Sequence, residues 1–185
     1  MIYPATEMLI AKYSRQQTYS VRETADIYNK ITKTYVNSLD VAHVEWMNNV
    51  LDDKKETELC VFENDHFKLQ KDYKFNEGDL KTLYCLAIPK QAREKSLKTI
   101  RDLKGDDLPM LKSMVAECYK AIEHKFGVPE HKIYAFFHYL PTYYLMHVHF
   151  THVDNIERDA REQISLEVAI SNLEMNAEYY QKCTL

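Results

Sequence analysis

One stretch carries the strongest structural signal in this sequence: residues 137–151, which read FHYLPTYYLMHVHFT. The stretch is rich in aromatic and β-branched residues, which predicts strands over residues 132–139 and 143–153, joined by a short turn at residues 140–142. Side chains alternate between the two faces of a strand. One face is therefore assigned Leu145, His147, His149 and Thr151, and the other, apolar face Met146, Val148, Phe150 and His152.

Outward from this stretch, the hydrophobic pattern predicts the remaining elements. Helical spacing indicates helices over residues 19–39, 41–55, 108–126 and 157–173, the first with Thr18 or Ser20 as its N-cap. Short apolar runs and turn signals indicate strands over residues 59–62, 67–70 and 83–88, the last of them central and buried. Because hairpins replace regular βαβ units, this order predicts an α+β fold with a mostly antiparallel sheet and helices packed on it.

Length and composition restrict the function. The chain has 185 residues and a formal net charge of −4, which suits one ordinary domain and argues against a DNA-binding protein, because such proteins are usually basic. The only glycines are Gly78, Gly105 and Gly127, and their wide spacing excludes a P-loop or a dinucleotide-binding fingerprint. No apolar run reaches the roughly 20 residues that a membrane-spanning helix needs, so no membrane association is expected.

The cysteines bear on the cellular compartment. Cys60, Cys85, Cys118 and Cys183 form no CxxC pair, which argues against a zinc ribbon. The N-terminal residues lack the basic segment and apolar core of a secretory signal. We therefore expect a reducing location, in the cytoplasm or also in the nucleus, with the cysteines as buried thiols.

Four of the eight histidines cluster at positions 138, 147, 149 and 152. The first interpretation is a set of structural histidines with satisfied hydrogen bonds. A second is a metal site, since two histidines at i and i+2 on a strand can share a cation, with Asp154 or His152 as the third ligand. The third is nucleophilic catalysis at phosphorus, since a neutral imidazole is a good nucleophile at pH 7 and a neighbouring histidine can bind a phosphate oxygen.

Residues 137–151 closely resemble the histidine triad motif of the scavenger mRNA-decapping enzymes. Other segments agree with that family in the same order: Tyr3-Pro4-Ala5-Thr6-Glu7, Arg22-Glu23-Thr24, Trp46, Leu51-Asp52, Val61-Phe62-Glu63-Asn64, Asp72-Tyr73-Lys74, Arg101-Asp102-Leu103 and Asn172-Leu173-Glu174. The similarity extends over nearly the whole chain. It implies a hinge or N-terminal segment over residues 1–18 and a histidine triad catalytic domain over residues 19–185, with the family's N-terminal lid domain absent.

The resemblance implies hydrolysis of the triphosphate bridge of 7-methylguanosine cap dinucleotides or short capped RNA, with release of 7-methylguanosine monophosphate. His147 matches the nucleophile, which forms a nucleotidyl-histidine intermediate, and His149 matches the last histidine of the triad, which binds non-bridging oxygens. The implied phosphate-binding residues are His138, Lys74, Thr142 and Tyr143. The implied cap-base-binding residues are Trp46, Glu56, Asp72 and Tyr73. The family pattern also implies a homodimer and requires neither a cofactor nor a metal.

The residue types suit this chemistry. N7-methylation makes guanine cationic, and a cationic base is attracted to an aromatic face such as that of Trp46 by about 1–2 kcal/mol when desolvated. The N1–H and the exocyclic amine both donate, so that the Glu56 carboxylate accepts both. Lys74 offsets charge that develops in the transition state. We expect the His147 ring to be accessible in a pocket, with Lys74 and His149 directed at one oxyanion-sized space.

Several positions depart from the family pattern. Leu145 stands where the first histidine of the triad is expected, which leaves less polar support for the nucleophile. Lys71 replaces a proline, and Tyr73 replaces an aliphatic residue, which predicts an aromatic sandwich around the base. The arginine that the family has after the motif is matched only by Arg158 or Arg161, in a shifted register.

Two alternative functions fit the same residues. A catalytically weak relative would bind a cap or another nucleotide with little turnover, which Leu145 favours. A general dinucleoside polyphosphate hydrolase would show no preference for the methylated base. The expected homodimer predicts an exposed apolar patch on the first two helices.

Overall fold

The computed structural model of the chain describes residues 6–8, 10, 14, 19–155 and 163–185. The strands are β1 (Cys60–Glu63), β2 (Phe67–Lys71), β3 (Tyr84–Pro89), β4 (Ile133–His138), β5 (Val148–His152) and β6 (Gln163–Ser165). The helices are α1 (Ala25–Ile27, a π-helical turn Tyr28–Thr32 and Lys33–Ser38), α2 (Glu45–Leu51), α3 (Lys90–Glu94), α4 (Leu108–Phe126), α5 (Leu166–Met175) and α6 (Tyr179–Lys182). Short 3-10 turns occupy Val41–Val44, Thr57–Leu59, Leu80–Thr82, Ile100–Asp102, Gly105–Asp107, Glu130–Lys132 and Val153–Asn155.

The six strands form one sheet in the order β1-β2-β3-β5-β4-β6. Each neighbouring pair is antiparallel. The predicted α+β class with a mostly antiparallel sheet is confirmed. The apolar run assigned to a central strand is β3, which pairs with β2 on one side and β5 on the other.

The two faces of the sheet have different roles. The core face packs against α4, and its buried residues include Phe67, Leu69, Cys85, Ala87, Val148 and Phe150. The Tyr119 ring of α4 meets the Phe150 ring edge-on, with centroids 5.4 Å apart. The opposite face carries one row of residues in register across four adjacent strands, namely Gln70, Leu86, His149 and Phe136. We call this row the site row.

The helix predicted over residues 108–126 has the predicted bounds. Pro109 lies in its first turn, where a missing N–H leaves no hydrogen bond unmade. Gly127 ends the helix in the left-handed region at φ 70°, and its N–H donates to the Glu123 carbonyl at 2.8 Å. Although this helix has 19 residues, no helix in the described part of the chain is long and apolar enough to cross a membrane.

The first two helices are shorter than predicted. α1 begins at Ala25, where the Thr24 side chain accepts from the Ile27 N–H at 3.3 Å. The main chain of Glu23, just before this cap, is bonded in both directions to that of Leu185 and not within a helix. α2 ends at Leu51 and not near residue 55. The chain beyond it turns through residues 53 and 56, which both adopt left-handed backbone conformations.

The strand predicted over residues 143–153 begins only at Val148. The Met146 N–H donates to the Leu97 carbonyl at 2.9 Å, so this part of the backbone is bonded outside the sheet. The assignment of Leu145 and His147 to one face of a strand is therefore wrong, although His149 and Thr151 do share a face of β5.

The last predicted helix also starts later than expected. Residues 163–165 pair with β4 as strand β6, and the Ser165 hydroxyl caps α5 by accepting from the Val168 N–H at 3.4 Å. The helix therefore spans Leu166–Met175. Arg158, Arg161 and most of the predicted 1–18 segment lie outside the described residues.

Candidate active site

Three histidine rings meet at the end of the site row. His149 lies on β5, and its ring centroid is 4.8 Å from that of His147, just before the strand. His138, at the end of β4, places its ring centroid 4.3 Å from His149. The antiparallel pairing of β4 with β5 positions this contact, because Phe136 lies directly opposite His149. The hairpin thus brings His138 to His149, and His138 and His147 line one small cavity.

The hydrogen bond of His147 defines its chemistry. Its Nδ1 is 2.6 Å from the Leu145 carbonyl, and a carbonyl only accepts, so Nδ1 carries the proton and Nε2 keeps the lone pair. Burial lowers the pKa of His147 to about 4, because a charged ring is poorly solvated there. The imidazole is therefore neutral at pH 7, with Nε2 as its nucleophilic atom.

The expectation of an accessible His147 ring is wrong for this conformation. The residue is 7% exposed, and it borders a cavity of about 10 Å³ that His138, Pro141 and Met146 also line. Such a space holds about one water molecule. The loop before β5 covers the ring because its backbone is tied to Leu97 through Met146. The ring nevertheless lies beside the His149 imidazole and shares its small cavity with His138, so its neighbours are not apolar side chains alone.

His149 is bonded on one side only. Its Nδ1 is 2.9 Å from the Tyr84 hydroxyl, and its ring stacks on Phe136 with centroids 5.1 Å apart and an interplanar angle of 11°. Its Nε2 is buried and has no hydrogen-bond partner among the described residues. Burial lowers the pKa of His149 well below its usual range, and the charge of Lys74 acts in the same direction. A buried polar nitrogen of this kind is suited to a ligand oxygen.

Lys74 approaches the histidines through a tyrosine. Its Nζ lies 5.4 Å from the centroid of the Tyr84 ring, whose hydroxyl bonds His149. The loop before it is set by Asp72, which accepts from the Lys74 N–H at 2.8 Å through Oδ1. Lys74 thus lies near the edge of the histidine cluster. Lys74 is not among the described residues that line the small cavity beside His147.

Trp46 and Glu56 are joined directly. The indole Nε1–H of Trp46 donates to Glu56 Oε1 at 2.8 Å, although ten residues separate them. The Trp46 ring packs against Tyr143, with centroids 5.4 Å apart and an interplanar angle of 39°. Tyr73, which is expected to sandwich the base together with Trp46, is 83% exposed in this conformation, so the sandwich stays a prediction.

Two predicted phosphate-binding residues lie on the surface between β4 and β5. Thr142 and Tyr143 are both exposed, and Tyr143 reaches from this loop to Trp46. Leu145, on the same loop, is buried in the core with 5% exposed. Its main-chain carbonyl, and not its side chain, holds His147. The His147 ring therefore has a polar partner from this position although the side chain there is leucine.

The two halves of the site lie in one line across the sheet. Gln70 on β2 pairs with Leu86 on β3, which pairs with His149 on β5. Two strand spacings separate the first from the last, roughly 10 Å. Glu56 is attached to Gln70, whose Nε2 lies 3.0 Å from Glu56 Oε2. A ligand that contacts both Glu56 and His149 must therefore extend along this line, as a nucleotide would with its base at one end and its phosphate at the other.

Sequence reasoning missed three members of the site: Gln70, Tyr84 and Phe136. Tyr84 and Phe136 each contact His149 from a neighbouring strand, and Gln70 on β2 contacts Glu56 in the turn before β1, so all three roles depend on tertiary structure. A partial signal existed for Gln70, because polar and apolar residues alternate along β2 and place Lys68 and Gln70 opposite the core face. Tyr84 and Phe136 read as ordinary apolar strand residues.

The metal-site interpretation finds no geometric support. His152 points to the other face of β5 from His149, and its Nδ1 accepts from the Asp154 N–H at 3.0 Å. Within residues 19–155 and 163–185, no three His, Cys, Asp or Glu side chains are grouped to hold an ion. The two histidines nearest in sequence therefore lack the third ligand that the interpretation requires.

Fold and site together define a class of protein: an α+β domain with a histidine cluster on its antiparallel sheet and a tryptophan–carboxylate pair at the other end of the same row. The family model described as "Scavenger mRNA decapping enzyme C-term binding" matches residues 45–163. The m7GpppX diphosphatase of Caenorhabditis elegans is 37% identical over 100% of this chain, which covers 60% of that protein. The m7GpppX diphosphatase of Bos taurus is 38% identical over 100% of this chain and 56% of its own length. The chain belongs to the scavenger mRNA-decapping family, and the resemblance seen in the sequence is confirmed.

Two further proteins are similar to this chain at lower sequence identity. The m7GpppX diphosphatase of Schizosaccharomyces pombe is 32% identical over 84% of this chain and 51% of its own length. A solved structure of Hnt3 in complex with DNA and guanosine aligns with a TM-score of 0.45 and 12% identity, over 75% of this chain and 86% of that one. The chain thus spans between 51% and 62% of the length of the curated relatives it matches.

Proposed function

We propose that this chain hydrolyses the triphosphate bridge of 7-methylguanosine cap dinucleotides or short capped RNA and releases 7-methylguanosine monophosphate. The observation that carries the proposal is the state of His147: a neutral ring with Nδ1 bonded to a carbonyl and Nε2 carrying the lone pair. Family membership supplies the substrate class.

The reaction has two displacement steps at one phosphorus atom. Nε2 of His147 forms a bond to the phosphorus next to 7-methylguanosine, and the bond from that phosphorus to the bridging oxygen of the departing nucleoside diphosphate breaks. Water then forms a P–O bond as the P–N bond breaks, and the proton that the water loses passes to solvent. This step frees the neutral imidazole and 7-methylguanosine monophosphate. A neutral nucleophile avoids repulsion by the triphosphate.

The residues around His147 stabilise charge on the phosphate. The His149 ring is in contact with His147, and its Nε2 has no partner among the described residues. His138 contacts His149 and lines the same small cavity as His147, and Lys74 approaches through Tyr84. Because the loop at residues 139–147 covers the ring in this conformation, phosphate binding requires that loop to shift. Thr142 and Tyr143, both on the loop, would then reach the phosphates.

Base recognition occupies the other end of the row. The Trp46 face would stack on the cationic base, and the Glu56 carboxylate would accept from its N1–H and exocyclic amine. The exposed loop with Asp72 and Tyr73 would cover the opposite side of the base. This arrangement places the base and the reacting phosphorus along the direction defined by the site row.

The test is turnover of m7GpppG by the chain without added metal. We expect release of 7-methylguanosine monophosphate, and we expect His147→Asn to abolish it. The matched control is His131→Asn, on an exposed 3-10 turn outside the site, which should retain full turnover. Unchanged turnover in His147→Asn would refute the assigned nucleophile.

Two measurements separate the alternatives. Trp46 is the only tryptophan, so its fluorescence reports occupancy of the base site. Quenching by 7-methylguanosine monophosphate without hydrolysis of m7GpppG would identify a catalytically weak binding protein, which the Leu145 replacement favours. Equal rates on m7GpppG and GpppG would identify a general dinucleoside polyphosphate hydrolase.

We also propose that the chain forms a homodimer in the cytoplasm or nucleus. Val21, Ile31 and Tyr35, at and before α1, are exposed apolar side chains, as the expected dimer surface requires. Light scattering should show a dimer in solution, and Ile31→Glu should convert it to a monomer. A monomeric wild-type chain would contradict this part of the proposal.

A further inference from the structure

Gln70 is a buried polar residue that the proposed mechanism does not use. It lies on β2 in the site row and is 1% exposed. Its neighbours in register are Cys60 on β1 and Leu86 on β3, neither of which is charged at pH 7, since burial raises the pKa of the Cys60 thiol. A carboxamide in such surroundings needs a defined partner.

Both N–H groups of the Gln70 amide point at a single residue. Nε2 lies 3.0 Å from Glu56 Oε2 and 3.2 Å from the Glu56 main-chain carbonyl. Both of these atoms only accept, so the nitrogen and not the oxygen of the amide faces Glu56. Gln70 Oε1 is buried without a hydrogen-bond partner among the described residues.

Glu56 depends on these two hydrogen bonds because its backbone conformation is unfavourable. Its φ of 57° and ψ of 31° place it in the left-handed region, which side-chain-bearing residues seldom adopt. One Gln70 N–H holds the main chain of this residue, and the other holds its carboxylate. Trp46 Nε1 holds the second carboxylate oxygen at 2.8 Å. Each oxygen then has one fixed donor and further lone pairs that remain for a ligand.

We infer that Gln70 is a positioning residue for recognition of guanine: it acts through Glu56 and orients the carboxylate for two parallel donors, the N1–H and the exocyclic amine of the base. The inference rests on the proposed role of Glu56. A carboxylate free to rotate would still accept one hydrogen bond, but it would meet two donors at once only part of the time. Gln70 therefore determines how strongly the site prefers a base with both donors.

The first test removes both N–H donors of the Gln70 side chain. Gln70→Leu should weaken binding of 7-methylguanosine monophosphate, measured by Trp46 fluorescence, about tenfold, equivalent to roughly 1.4 kcal/mol. The preference over 7-methylinosine monophosphate, which lacks the exocyclic amine, should shrink by a similar factor. KM for m7GpppG should rise while kcat changes little, since Gln70 lies two strands from His149.

The second test uses Gln70→Glu, which has the same shape. At pH 7 the new carboxylate faces that of Glu56, and repulsion replaces a hydrogen bond. Acidification to pH 5 should allow the two carboxylates to share a proton and restore the bond. The affinity of this variant relative to wild type should therefore recover on acidification. The other charged groups on this face of β2 are Lys68 with its partners Asp53 and Glu63, which are present in both proteins.

Gln181 offers a matched control. Its Nε2 also bridges two acceptors, the Arg101 and Leu103 carbonyls at 2.6 Å and 2.7 Å, and its Oε1 is likewise unpaired among the described residues. It lies on α6, outside the site. Gln181→Leu should lower the unfolding midpoint and leave nucleotide affinity unchanged.

The outcomes separate the two proposals. If wild-type protein does not bind 7-methylguanosine monophosphate, the proposed function fails and this inference fails with it. If wild type binds and both Gln70 variants bind equally well at pH 7, the proposed function stands and the role of Gln70 is refuted. If Gln70→Leu does not fold, the pH profile of Gln70→Glu decides alone, and a profile parallel to wild type refutes the inference.

Discussion

Two clusters of buried polar groups lie close together in this molecule, and they are bonded in opposite ways. The first surrounds Arg101, which is 1% exposed. Nη1 donates to the Tyr180 and Cys183 carbonyls at 2.8 Å each, and Nη2 donates to the main-chain carbonyl and Oε1 of Glu23 at 2.8 Å and 3.0 Å. Nε donates to Glu23 Oε1 at 3.2 Å. All five N–H groups of the guanidinium are therefore satisfied.

The second cluster is the histidine end of the site row. His149 Nε2 and the Thr151 hydroxyl are buried without hydrogen-bond partners among the described residues. His147 has a bonded Nδ1, and burial lowers its pKa. The two clusters meet at Tyr139, whose hydroxyl donates to Glu23 and whose chain leads into the loop before β5.

The contrast distinguishes a cluster that holds the fold together from one that is suited to a ligand. A fully bonded buried network holds its elements in one arrangement, and here it joins the start of α1, the Ile100–Asp102 turn and the C-terminal residues. Buried polar atoms without partners destabilise the folded state and are retained where a ligand completes them. The same degree of burial therefore has opposite meanings in the two clusters, and mutations should separate them.

The largest effect is expected at Arg101. Arg101→Met removes the cation and leaves the Glu23 carboxylate buried without it, which should lower the free energy of unfolding by about 3–5 kcal/mol. Urea unfolding followed by circular dichroism measures this loss. The control is Arg93→Gln, which breaks an exposed pair with Asp52 and should leave the urea midpoint nearly unchanged. Similar losses in both variants would mean that the bonded cluster has no special structural role.

The next largest effect is the loss of stability at acidic pH. The pKa of His147 is about 4 in the folded state, against an ordinary value of 6.5 in the unfolded chain. Above pH 6.5 the ring is neutral in both states, and its contribution to stability is fully present. As pH falls from 6.5 to 4, the ring binds a proton in the unfolded chain but not in the folded chain. The free energy of unfolding therefore falls by roughly 3 kcal/mol.

Urea unfolding at pH 7, 5.5 and 4.5 checks this dependence. His149, whose pKa is also lowered by burial, contributes in the same direction and window. The free energy of unfolding plotted against pH should be less steep in His147→Asn by about 1.4 kcal/mol per pH unit, which corresponds to one proton. The control His131→Asn should keep the slope of the wild type. A His147→Asn curve parallel to wild type would show that the ring is not buried in solution.

These differences also explain what could be read from the sequence. α4 is signalled locally, by Pro109 at its start and Gly127 beyond its end, and β3 by its apolar run. The start of β5 could not be found, because it depends on a hydrogen bond between Met146 and the distant Leu97. The ends of an element can be predicted from sequence where residues at those ends determine them. They cannot be predicted where a tertiary hydrogen bond determines them.

The candidate site shows the same division. Its histidines and the Trp46–Glu56 pair were named from a motif and a family resemblance, and not from periodicity. Gln70 and Tyr84 became visible only once the sheet register placed them beside Glu56 and His149. The alternation along β2 shows only that Gln70 lies opposite the core face, and the residue that it contacts is set by tertiary structure.

The smallest effect gives the sharpest comparison, because the same substitution should have opposite signs in the two clusters. The Thr32 hydroxyl donates to the Glu23 carboxylate within the bonded cluster, and both side chains are buried. Thr32→Val removes a hydrogen bond to a charged group and should cost about 2 kcal/mol. Thr151→Val removes a buried hydroxyl that has no partner in the described part of the chain, and it should stabilise the protein by up to about 1 kcal/mol.

The two changes alter side-chain volume by the same small amount, so packing cannot produce the difference in sign. Thermal unfolding of both variants at pH 7 tests it, and an equal loss at the two positions would show that the Thr151 hydroxyl is bonded in solution and that the contrast between the clusters does not hold there.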